Sequence, residues 1–184
     1  MPRHPIPDNA LHAHYAATGG HADCYAAIIP RRARDKREGV SLAAFVFAFY
    51  TSPLFRLERW ILAVVLGMPS TDAEARAVAV GEAPFDVPGT KGCATARFAA
   101  WTFEARSDDQ LVMCDYQGRT RLWFMVLRLA QDGREEGTRV YFGTAIAASR
   151  GGRVPFAFRA LMPFHHLYSR ALLWSAVRGL RATR

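Results

Sequence analysis

A chain of 184 residues, 51% hydrophobic and 22% charged and free of repeats or low-complexity tracts, has the size and composition of one domain with its own core, which excludes a multidomain machine, a solenoid and a disordered tail. The net charge of +8 is not spread evenly: residues 1–136 hold 16 basic and 16 acidic side chains, whereas residues 137–184 hold eight arginines and no acid. Cys24, Cys93 and Cys114 form no CxxC pair and stand at no Cys/His metal spacing, so a disulfide framework and a zinc motif are not indicated and a cytoplasmic location is expected.

Residues 1–20, with Pro2, Pro5, Pro7 and Gly19-Gly20 and no apolar signal-peptide core, predict a flexible arm ahead of a single domain at 21–184. His4, His12 and His14 in that arm lack the carboxylate or cysteine company of a metal site, and no metal or other cofactor is expected. Ala22 to Ile29, stopped by Pro30, predicts a first strand, and Arg31 to Glu38 a charged loop. Ser41 is the N-cap of a helix over Leu42 to Tyr50 that is apolar on every side and must be buried. Ser52-Pro53 opens a second helix running to Gly67. The uncharged run from Gly39 to Phe55 has 17 residues, contains Pro53 and is followed at once by Arg56, which argues against membrane insertion. Thr71 and Glu74 have capping-box spacing for a short helix to Val80, and Gly81 to Ala96 is irregular.

The second half changes period. Phe98 to Ala105, Gln110 to Tyr116, Arg119 to Leu129 and Thr138 to Ala148 read as strands of an antiparallel meander, separated by polar turns. A two-residue hairpin at Gln117-Gly118 pairs Tyr116 with Arg119 and places Leu111, Met113 and Asp115 on one face with Thr120, Leu122, Phe124, Val126 and Arg128, extended by Val140, Phe142, Thr144 and Ile146. Trp123, Met125, Leu127 and Tyr141 fall on the other face, an apolar patch that needs a cover: the arm, the early helices, or a second copy in a homodimer. A last helix, Val154 to Arg181, is read with Arg159, Arg170 and Arg181 outside and Leu161, Phe164, Tyr168, Leu172 and Ser175 inside.

This order is α+β: a strand, two helices, an antiparallel meander and a long closing helix. It resembles the helix-grip fold of START-like and polyketide-cyclase proteins, in which the sheet wraps around the C-terminal helix. The segment LeuMetProPheHisHisLeuTyrSerArgAlaLeuLeu at Leu161 to Leu173, with AlaAspCysTyr at Ala22 to Tyr25, is similar to an uncharacterised bacterial family of that superfamily. The resemblance implies a cavity between sheet and helix that takes an apolar small molecule, with no catalytic residue to carry over. Leu122, Phe124, Phe142, Thr144, Phe164, His165 and Tyr168 are the expected ligand contacts. The alternative is a cyclase- or isomerase-like enzyme with His165 and Tyr168 as acid and base toward an enolisable carbonyl, and Asp115 as a further base. The arginines of the last helix suggest a third reading, contact with an anionic surface. Without exposed aromatics interleaved among them they argue against nucleic acid, and only Lys36 and Lys91 are lysines, so coding bias alone also explains them. No phosphate-binding glycine motif or nucleophile elbow occurs.

Overall fold

The strand periods of the second half close into one antiparallel sheet in a computed structural model, which describes residues 3–31, 39–82, 97–131, 134–148 and 156–182. In chain order the elements are α1 (His14–Ala17), β1 (His21–Pro30), α2 (Leu42–Tyr50), α3 (Pro53–Leu66), α4 (Asp72–Val80), β2 (Arg97–Phe98), β3 (Trp101–Arg106), β4 (Gln110–Asp115), β5 (Thr120–Gln131), β6 (Arg134–Ile146) and α5 (Phe156–Ala182). The sheet order is β1-β6-β5-β4-β3-β2. The first strand is therefore at an edge, where Pro30 can occupy its last position without breaking an inner ladder.

The expected hairpin register holds. Met113 pairs with Leu122 and Gln110 with Met125, while Leu122 pairs with Thr144 and Phe124 with Phe142. Gly118 takes φ 68 in the turn, where the Asp115 carboxylate accepts from Arg119 N–H at 2.7 Å. The helix starts are also as expected: Ser41 accepts from Ala44 N–H, Ser52 from Phe55 N–H with Pro53 in the first turn, and Thr71 and Glu74 close a capping box. Element ends shift by one or two residues in several places, and by more in the following ones. The strand predicted over Phe98 to Ala105 breaks at Ala99, whose φ is 50, into β2 and β3. Strands β5 and β6 run on to Gln131 and Arg134, across a register irregularity at Leu129/Ala130. Of the loop Arg31 to Glu38, residues 32–38 lie outside the described residues, as do residues 83–96 of the irregular stretch.

One face of the sheet carries the main core. Because α2 is apolar all round, it lies directly on this face: the Phe49 ring sits 4.8 Å from Phe124 and 4.7 Å from Phe142, and Phe45 and Tyr50 also meet Phe124. Helix α4 adds Ala75, Val78 and Ala79. Helix α5 packs on α2 and β1 through Ser169, Leu172, Leu173, Ala176, Val177 and Leu180, an i, i+3, i+4, i+7, i+8, i+11 series. That stripe corrects the expected one. Leu172 and Ser175 are buried and Tyr168 is half-buried, but Leu161 is 60% and Phe164 67% exposed. Leu122, Phe124 and Phe142, expected as ligand contacts, are buried members of this core, and α2 meets Phe124 and Phe142 through Phe49.

The other face carries a second core, and of the three covers expected for it the arm is the one that lies there. Residues 3–20 lie on the sheet, where Ile6, Ala10, Leu11 and Ala13 cover Cys24, Val112, Trp123, Met125 and Tyr141. Trp123 and Met125 are buried by the chain itself, which removes the patch that had suggested a homodimer; only Leu127 of the set remains exposed. His12 stacks on Trp123 with ring centroids 4.2 Å apart. Gly143 permits this close layering, for a Cβ there would stand 2.5 Å from the Asp23 carbonyl oxygen, 2.9 Å from Trp123 and 3.0 Å from His12. Buried Gln110 ties the layers: its Oε1 accepts from Leu11 N–H at 3.0 Å and from the Trp123 indole at 2.9 Å, and its amide donates to the Asn9 carbonyl at 3.0 Å. Gln110→Leu strands two N–H donors, so a loss of about 2 kcal/mol in urea unfolding is expected. A change below about 0.5 kcal/mol, the range of ordinary surface substitutions, would show that these bonds do not hold the segment down. Among the described residues, no helix is long and apolar enough to cross a membrane.

Candidate functional site

Alternation along β1 sends His21, Asp23 and Tyr25 to the helix-facing side of the edge strand, three polar groups at i, i+2 and i+4 where the rest of the sheet presents hydrocarbon. Asp23 is opposite Thr144 of β6 in the register. Successive residues His165 and His166 reach the same place from α5.

Asp23 is completely buried, and its two oxygens have separate partners. Oδ1 accepts from Thr144 N–H at 3.0 Å and from the Thr144 hydroxyl at 2.9 Å. Oδ2 faces His165 Nε2 at 3.0 Å, the Tyr25 hydroxyl at 3.4 Å and His166 Nδ1 at 3.5 Å. Tyr25 also meets His166 Nδ1 at 2.6 Å, and His165 Nε2 lies 2.9 Å from the Thr144 hydroxyl. The ligand atoms of Asp23, His165 and His166 all fall within 4.8 Å of one another. His165 and His166 are partly exposed, so a buried anion is presented to solvent through two imidazoles.

Electrostatics favour the ionised carboxylate. Burial alone would raise the Asp23 pKa; the hydrogen bond and charge of His165 and the two bonds from Thr144 overcome it and hold the group below the usual carboxylate range. Burial, reinforced by the Asp23 charge, pushes the Tyr25 phenol up, so it stays protonated and serves as a donor. His21, beside His166 at 6.4 Å between ring centroids, is lowered by burial, and its Nε2 has no hydrogen-bond partner among the described residues.

Of the residues singled out from sequence, Thr144 and His165 belong to this cluster. Tyr168 does not: its hydroxyl donates to Glu58 of α3, whose carboxyl burial raises. Asp115 serves the hairpin turn, and Phe164 stacks on Tyr168 at the surface. Asp23, Tyr25 and His166 were not singled out, although the alternation His21, Asp23, Tyr25 on a strand and the adjacent histidines were the signals for them. His4, His12 and His14 make separate contacts, with Tyr141, Trp123 and Tyr15 respectively. Comparison with known proteins returns no match: no family model, no curated protein and no solved structure aligns with the chain.

Proposed function

We propose that Asp23, His165 and His166 hold a divalent transition metal ion and that this centre receives the polar head of a small molecule. One observation carries the reading. Asp23 Oδ2, a nitrogen of His165 and a nitrogen of His166 converge within 4.8 Å of one another, while Thr144 holds Oδ1. A cation between Oδ2 and both imidazole nitrogens would be met by one negative charge and two neutral donors. With metal–nitrogen bonds of about 2.0–2.1 Å, tetrahedral ligand atoms stand roughly 3.3 Å apart, and Oδ2 lies 3.0 and 3.5 Å from the two nitrogens. Two histidines and a carboxylate are a familiar donor set for zinc and iron(II), and three protein ligands leave a position for water or substrate. Thr144 then orients the carboxylate ligand from behind.

The order of elements supports the helix-grip reading, and an apolar ligand remains in keeping with the surroundings. Leu161 lies one helical turn from His165, and exposed Phe164 stacks on Tyr168 beside it. In this revised form the ligand's apolar body rests on the outside of α5, with its polar head at the metal.

Titration of metal-free protein with Zn²⁺, and the visible spectrum with Co²⁺, test the reading. One ion per chain is expected. Asp23→Asn or His166→Ala should weaken binding by on the order of 100-fold, and Thr144→Val by about 10-fold or more. Absence of binding, or binding unaltered in Asp23→Asn, overturns it. A second reading rests on the 3.0 Å contact between His165 and an ionised Asp23, which fixes the imidazole for proton transfer to an enolisable carbonyl without metal. Chelator-treated protein that exchanges ketone α-protons in D₂O, with the exchange lost in His165→Gln, would favour it.

A further inference from the structure

We propose that the outward face of α3, with the α5 side chains beside it, docks on an anionic lipid bilayer. This surface is separate from the Asp23 cluster, and the proposal stands independently of that site. On α3, Phe55 and Arg59 face inward, whereas Leu57, Trp60, Ile61, Val64 and Val65 are 45–71% exposed. Spacings of three and four residues place Leu57, Trp60, Ile61 and Val64 on one face, and from Trp60 to Leu66 the helix has no charged or polar side chain other than the indole N–H. Isolated exposed apolar residues are ordinary; a row of this length is a contact surface.

The face continues onto α5. Leu57 and Pro53 form one wall of a groove whose other wall holds Trp174 and Arg178. Trp174 is 54% exposed, and the Arg178 guanidinium lies 5.3 Å from its ring centroid. Arg178 belongs to a stretch of chain, residues 137–184, with eight arginines and no acid. The acids nearest the face on α3 and α4 are already engaged, Glu58 by Tyr168 and Asp72 by Arg56 and Arg59.

Charge selects the occupant. A helix with a bulky apolar face, an indole at its edge and an arginine beside it suits the headgroup level of a membrane, where aliphatic side chains enter the acyl boundary and a guanidinium meets phosphate and carboxylate. A second copy would bring another Arg178 to the interface, with no acid from residues 137–184 to meet it. At 14 residues, α3 is too short to span and would lie in the plane of the surface. Arg178, which lies outside the stripe of Arg159, Arg170 and Arg181 read from sequence, thus gains an apolar partner face.

Co-sedimentation of the full chain with vesicles of phosphatidylserine and phosphatidylcholine, against vesicles of phosphatidylcholine alone, provides the test. Binding is expected only to the anionic vesicles, and it should weaken as salt rises. The double variant Trp60→Glu/Val64→Glu should lower it by at least about tenfold, and Arg178→Glu by about fivefold or more. All three side chains are exposed, so unchanged circular dichroism and thermal midpoint are expected to confirm intact folding. Failure of the wild type to sediment, or equal sedimentation of the double variant, overturns the proposal. So does a wild-type dimer in vesicle-free ultracentrifugation that the same double variant dissociates, because the face then belongs to a second copy.

Discussion

Phe49→Ala is expected to lower the unfolding free energy by about 3–5 kcal/mol, the range for truncating a large buried aromatic. Phe49 is fully buried, and its ring meets Tyr50, Phe55, Phe124 and Phe142 at centroid distances of 4.7–5.6 Å, so it joins α2 and α3 to both long strands. No single neighbour can close the resulting space without giving up contacts to another. The urea midpoint should fall with little change in slope. The same variant addresses the interior ligand cavity, because Phe49 occupies part of the space where that cavity was expected. An apolar probe such as benzene should stabilise Phe49→Ala and leave the wild type unaffected, as empty apolar cavities take up such molecules. If Phe49→Ala costs less than about 1 kcal/mol, well below the usual loss, α2 is not held on the sheet as described and an interior pocket returns to consideration.

What could be read from sequence follows from how local each determinant is. Caps depend on a few neighbouring residues, so Ser41, Ser52 and the Thr71/Glu74 box were legible. The Gln117-Gly118 turn set the register, and with it both faces of the sheet from Leu111 to Ile146. Helix α5 was harder, since periodicity does not say over which turns an apolar arc is covered; Leu161 and Phe164 share an arc with buried Leu172 and Ser175 and are exposed. The cover of Trp123 was legible only as one of three alternatives, the arm, the early helices or a second copy. An apolar sheet face demands a cover, but a Pro- and His-rich segment has no helix or strand period to show that Ala10 and Leu11 provide it. Asp23 went unread as a functional residue because its partners Thr144 and His165 are 121 and 142 residues away. Only the β1–β6 pairing and the docking of α5 bring them together.

Mild acid should destabilise the protein through His12. This residue is fully buried between the N-terminal segment and the sheet, and desolvation lowers its pKa from 6.5 to about 4. Its Nε2 lies 3.2 Å from the Asp23 carbonyl oxygen, but that bond and the Asp23 charge do not offset burial, His14 opposes protonation as well, and Nδ1 has no partner among the described residues. Between pH 6.5 and about 4 the unfolded chain therefore binds a proton that the folded chain excludes, so stability falls as pH falls through this window and is flat above it as far as His12 is concerned. Two and a half units at 1.36 kcal/mol each give a loss of about 3 kcal/mol. Asp23, held ionised below its ordinary range, acts in the same direction at still lower pH. Urea unfolding of chelator-treated protein, which removes any metal contribution, should show the midpoint dropping from neutral pH to about pH 4. His12→Phe keeps an aromatic ring against Trp123 without a titrating group, and should flatten this part of the profile. Parallel pH profiles for wild type and His12→Phe would mean that His12 accepts its proton in the folded state, and hence that the N-terminal segment lifts from Trp123 without global unfolding.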